Sequence, residues 1–108
     1  MAELNEAGIV AVVEESSAGT DEPVIVLSGE LDLSNVDVVR PVIEQILERR
    51  PKRIVFDLAE LQFMDSSGLA VLIHAANTAP GVELRGPSTI VRRIIDVTGL
   101  SDLFSIAP

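Results

Sequence analysis

The sequence has no cysteine, no tryptophan and no tyrosine, and only three phenylalanines. Without thiols there is no disulfide, no thiolate-held metal and no cysteine nucleophile. An aromatic share of 3% leaves no platform on which bases could stack. Positive charge is also scarce: 8 Lys+Arg stand against 17 Asp+Glu, a formal net charge of −9. That balance offers no electrostatic footprint for nucleic acid or anionic lipid, and points to protein partners with basic surfaces. No apolar run nears the ~18 residues that cross a bilayer. The opening Met-Ala-Glu-Leu-Asn-Glu is acidic, unlike the basic start of a signal peptide. The expectation is a cytoplasmic protein with no membrane segment.

What is present is a globular composition, 47% hydrophobic and 23% charged over 108 residues. Area scaling has a chain of this size bury about 65% of its unfolded surface, enough for one core without covalent staples. No repeat, low-complexity tract or linker divides it. A single domain over 1–108 is expected.

Two short apolar runs, Ile9 to Val13 and Val24 to Leu27, flank the polar stretch Ser16 to Glu22 and read as an antiparallel hairpin. A helix is expected from Ser34, with Asp37 in its first turn and Val39, Val42, Ile43 and Ile46 on one face. Arg49-Arg50 and Pro51 end it. Pro41 removes the bond to the Asp37 carbonyl, which predicts a kink or a delayed regular start. Ile54-Val55-Phe56 reads as a compact strand buried on both faces. A second helix from about Ser66 to Asn77 turns Leu69, Leu72, Ile73 and Ala76 to one side. Pro80-Gly81 leads into a short strand, Val82 to Arg85. After Gly86-Pro87, Ser88 caps a third helix bearing Ile90, Val91, Ile94 and Ile95, which stops at Gly99. Leu100, Leu103 and Phe104 are expected to pack a final turn on the core. The order β-β-α-β-α-β-α predicts an α/β domain, a small mixed sheet covered by helices.

The chemistry concentrates in Asp65-Ser66-Ser67-Gly68, at the junction of an apolar segment and the second helix. Asp65 or Ser66 alone would serve as an N-cap. Three consecutive polar side chains exceed that need, and the surplus fits an exposed hydroxyl held beside an acid. Gly68 relieves crowding there and lets another surface approach. A serine nucleophile needs a base, yet the only histidine, His74, lies seven residues after Ser67 on the same helix, ~10 Å away along its axis. The G-x-S-x-G elbow is missing as well, so a hydrolase is not expected. Asp32, Asp57 and Asp65 all fall at or after expected strand ends and are the candidates for a shared carboxylate site. No compact ligand loop accompanies them, and no metal is expected. Gly86-Pro87-Ser88 is too short for a phosphate loop and lacks its lysine, so no cofactor is expected. A serine modified by another protein's active site fits better. Phosphate adds about −1.5 to −2 charges at pH 7. A helix amino end tolerates that anion, whereas a partner fitted to the neutral hydroxyl would not.

In these residues the sequence resembles the anti-sigma factor antagonist family, built on the STAS domain. The resemblance rests on Gly29-Glu30-Leu31-Asp32, on Ile54-Val55-Phe56-Asp57-Leu58 and above all on Phe63-Met64-Asp65-Ser66-Ser67-Gly68-Leu69. Thr98-Gly99-Leu100 and Leu103-Phe104 agree with the family's usual ending. The resemblance implies a binding protein and not an enzyme. Unphosphorylated, it would bind an anti-sigma factor that is also a serine kinase, and so release a sigma factor. The kinase would phosphorylate Ser66 with its own ATP and Mg²⁺, and a PP2C-type phosphatase would reverse this. Asp32, Asp65, Ser67 and Gly68 would belong to the partner surface. A constitutive STAS module in a stress-sensing scaffold or a lipid-transport complex is the alternative that the same resemblance allows.

Overall fold

The computed structural model describes residues 22–108 and the backbone of 10–11. Its strands are β1 (Val10–Ala11), β2 (Val24–Leu31), β3 (Ile54–Met64), β4 (Val82–Arg85) and β5 (Ser105–Ala107). Its helices are α1 (Val36–Leu47), α2 (Ser66–Thr78) and α3 (Thr89–Val97), with a 3-10 turn at Ser101–Leu103. The strands lie side by side in chain order, β1 antiparallel to β2 and every later pair parallel. The expected mixed sheet is therefore present, and Val10 and Ala11 pair with Ser28 and Leu27 as the hairpin requires. The rest of that expected hairpin loop, up to residue 21, lies outside the described residues.

One face of the sheet is dry. Ile25, Leu27, Ile54, Phe56, Leu58 and Leu84 are fully buried and alternate along their strands with partly exposed residues such as Val26, Asp57 and Glu83. On that other face Glu83 holds both Arg53 and Arg85, the latter at 3.0 Å. The core continues into Val39, Ile43 and Ile46 of α1, Leu72 and Ala75 of α2, and Val91 and Ile95 of α3. Those spacings are the helical periodicity of the sequence turned inward.

The structure departs from the sequence expectations in four places. First, β3 has 11 residues, where only the first three were read as a strand. Two residues of β2 from Val26 to Ser28 span three of β3 from Asp57 to Glu60, and Gly29 to Glu30 spans two from Leu61 to Phe63. These irregularities shift the buried positions from a spacing of two (Phe56, Leu58) to three (Leu61, Met64) and hide the period-2 signal. Gly29 supports the second of them with φ of 81°. Second, a fifth strand follows α3. Phe104 is buried as expected, but Leu100 and Leu103 are more than a third exposed. Third, α1 begins at Val36, two residues after Ser34, and continues past Pro41 to Leu47. Fourth, because β3 continues to Met64, Asp57 sits mid-strand opposite Val26 and Arg85. It accepts a bond from the Ala59 amide at 3.1 Å and does not reach Asp32 and Asp65 at the strand ends.

Candidate functional site

Strands β2 and β3 finish together, since Leu31 is paired with Met64. Asp32 and Asp65 therefore leave the sheet next to each other. Asp65 is the N-cap of α2: its Oδ1 accepts from the Ser67 amide at 2.8 Å and the Gly68 amide at 3.1 Å. These two N–H groups have no partner inside the helix, which is why an acid is favoured there. The other oxygen, Oδ2, accepts from the Leu33 amide at 3.2 Å. The Asp65 amide in turn donates to the Leu31 carbonyl at 3.2 Å. One carboxylate thus fixes the start of α2 and the loop after β2 in a single position.

That loop is itself folded tightly. Asp32 Oδ1 accepts from the Ser34 amide at 2.9 Å and the Ser34 hydroxyl at 2.6 Å. Asn35, buried despite its polarity, takes the Asp32 amide on Oδ1 at 3.0 Å and donates through Nδ2 to the Glu30 carbonyl at 2.7 Å. Ser34, expected as the helix start, belongs to this turn. Its side chain bonds back to Asp32 and not forward into α1, so the helix begins two residues later.

Ser66 is the first residue of α2 and is exposed. Among the described residues its hydroxyl has no hydrogen-bond partner. Since Asp65 does the capping, both serines are spared that duty. Ser67 is half-buried and contributes its amide to Asp65. Gly68 is buried, and a Cβ built on it would stand 2.8 Å from the Leu31 carbonyl oxygen and 2.9 Å from Leu31 Cγ. The glycine is what lets α2 begin against the end of β2. Leu33, 73% exposed, stands in the same loop as an apolar side chain in an otherwise polar edge. Sequence reasoning passed over both Leu33 and Asn35. A lone leucine between two polar residues was the only signal for the first, and nothing local marked the second.

His74 Nε2 lies 2.8 Å from Glu44 Oε2 and links α2 to α1. It is engaged with that carboxylate and with neither serine. Among the described residues no group of three His, Cys, Asp or Glu is placed to hold a metal ion, and no helix is long and apolar enough to cross a membrane.

The structure is thus a mixed α/β sheet with an exposed serine at an acid-capped helix start. A family profile described as "Mlab, STAS domain" matches residues 15–106. The chain is 38% identical over 90 residues to the anti-sigma F factor antagonist of Paenibacillus polymyxa, covering 79% of this chain and 74% of that one. It is 30% identical over 98 residues to the anti-sigma-B factor antagonist of Listeria monocytogenes, covering 87% and 86%. Among solved structures, an anti-sigma factor antagonist from Mycobacterium paratuberculosis superposes with a TM-score of 0.72 at 31% identity, over 91% of this chain and 84% of that one. The unphosphorylated form of the anti-sigma factor antagonist SpoIIAA gives 0.72 at 27% identity, over 88% and 87%. Its phosphorylated form gives 0.68 at 25%, over 88% and 90%. The chain belongs to the STAS-domain family of anti-sigma factor antagonists.

Proposed function

We propose that this protein is an anti-sigma factor antagonist switched off by phosphorylation of Ser66. The observation that carries the proposal is the separation of duties at the helix start: Asp65 holds the backbone, and the adjacent Ser66 hydroxyl is left exposed on a rigid element. Phosphoryl transfer requires a positioned hydroxyl, with metal and base supplied by the kinase. The likeness to a protein solved in both unphosphorylated and phosphorylated forms supports it further.

In this proposal the neutral form docks on an anti-sigma factor serine kinase in the cytoplasm through Ser66, Ser67, Asp32 and the Asp65-built edge, and a sigma factor is released. Gly68 serves the same surface from beneath, by letting α2 approach Leu31. The phosphate of phospho-Ser66 would stand beside the Asp65 carboxylate and the acidic turn at Asp32, so it brings like charge to a surface fitted to a hydroxyl. A PP2C-type phosphatase would restore the neutral form. The chain is then a substrate, and ATP and Mg²⁺ are the kinase's.

Incubation with the cognate kinase and ATP is expected to add one phosphate, lost in Ser66→Ala. A phosphate that persists in Ser66→Ala overturns the assignment. The STAS-domain profile match also leaves a second reading, a constitutive STAS module in a stress-sensing scaffold or a lipid-transport complex. Purification of the native complex separates the two: a small serine kinase supports the switch, a transporter ATPase or a large scaffold the module.

A further inference from the structure

Half of the positive charge of this acidic chain is packed into five residues: of its 8 Lys+Arg, Arg49, Arg50, Lys52 and Arg53 are four. They follow α1 and precede β3, so they lie at the end of β3 opposite Ser66. The end of α2 comes to the same place. A cavity of about 400 Å³ opens between them, with the buried Leu47 and Pro51 at its floor and Ala79, the exposed Pro80 and Thr78, and the exposed cations Arg50 and Lys52 around it. That volume is within the usual range for a binding pocket.

Three features set this cavity apart from an ordinary solvated loop. Arg50 and Lys52 have no ion pair or side-chain hydrogen bond among the described residues, a condition shared by Arg93 alone among the other cations. Arg50 has φ of 54°, the left-handed conformation that ends many helices and that glycine adopts most easily. An arginine there retains its charge against a backbone preference. Neither α1 nor α2 has a basic residue in its last turn, so the positive charge at this pole is carried by the connecting loop alone.

We propose that this pole is a second docking site, for an acidic protein segment that seats one apolar side chain in the cavity between two cations. Charge complementarity chooses the occupant: the rim is cationic and the floor apolar. The repulsion expected from a net charge of −9 is weak here. The α2 axis alone separates this pole from the Asp32–Asp65 edge by about 20 Å, and screening at physiological salt acts within about 8 Å. An anionic membrane would instead meet the whole acidic surface at once. The two poles leave room for a partner at Ser66 and another here at the same time.

The test is an NMR titration of the full chain, amide by amide, with the peptide acetyl-Asp-Glu-Phe-Asp-Glu-amide. Saturable shifts are expected at the amides of Leu47 to Arg50, Lys52, Ala79 and Gly81, and none at Ser66. The Arg50→Gly, Lys52→Ser double variant is expected to bind about tenfold more weakly. Its melting temperature should not fall, because Arg50→Gly places glycine where the backbone favours it. Replacing the peptide's Phe with Ser should weaken binding as well. Absence of shifts at millimolar peptide, shifts untouched by the double variant, or equal binding of the Ser peptide would each overturn the proposal. So would co-sedimentation with vesicles of equal phosphatidylglycerol and phosphatidylcholine, lost in the double variant, since the site would then be a lipid site.

Discussion

Asp65 takes three backbone N–H groups from two stretches of chain, that of Leu33, 32 residues before it, and those of Ser67 and Gly68 just after it. A residue in that position acts as cap and clasp together. Asp65→Ala is expected to cost about 2 kcal/mol in urea unfolding, the upper end for a lost cap. Its companion Gly68 is set by space. Gly68→Ala drives a methyl group into the Leu31 carbonyl and side chain, and backbone can yield there only by moving α2 off the sheet. A loss of about 1–3 kcal/mol is expected in the same measurement. Ser66 contrasts with both, because no protein group among the described residues depends on its hydroxyl. The Asp-Ser-Ser-Gly pattern was legible as a site from sequence. Which of its members capped the helix was not, because all the small polar residues there have similar capping preferences.

At the scale of elements, the helices were legible because their buried residues recur at helical spacing, and the caps at Ser88 and Gly99 fall where expected. Pro41 is the exception that tests the rule. It lies inside α1 on an exposed position, and the helix continues on both sides of it. The packing of Val39, Ile43 and Ile46 outweighs the missing hydrogen bond to the Asp37 carbonyl. Pro41→Ala restores that bond without touching the core and is expected to stabilise the fold by about 1–3 kcal/mol, read as a raised thermal midpoint. Strand β3 was legible only in its first third. Past Asp57 its inward positions change spacing, and residues such as Glu60 and Gln62 fall on the exposed side. A local periodicity cannot report an irregularity that exists only against a neighbouring strand.

For the whole molecule, what matters is that a charge added at the Ser66 edge, as the proposed switch requires, would fall outside the core. Ser66 is exposed, while Leu69 and Leu72 on the same helix hold α2 to the rest of the core. Ser66→Asp is therefore expected to keep the circular-dichroism spectrum and the melting temperature of the wild type, since an acid at the first helix turn suits the helix dipole. Its affinity for the anti-sigma factor kinase is expected to fall by at least about tenfold, as for a like charge set into a polar interface. Calorimetric titration against the kinase reads this directly. Unchanged affinity with an intact fold would remove the electrostatic basis of the switch.

Taken alone, the order of residues determined the α/β class, the three helices and the existence of a polar step before the second of them, because periodicity and capping act between near neighbours in the chain. Contacts between distant segments decided the rest: the added residues in β3, the fifth strand, the clasp from Asp65 to Leu33 and the gathering of Leu47, Arg50 and Pro80 around one cavity. Each of these depends on a partner many residues away, and only the folded chain brings such partners within bonding distance.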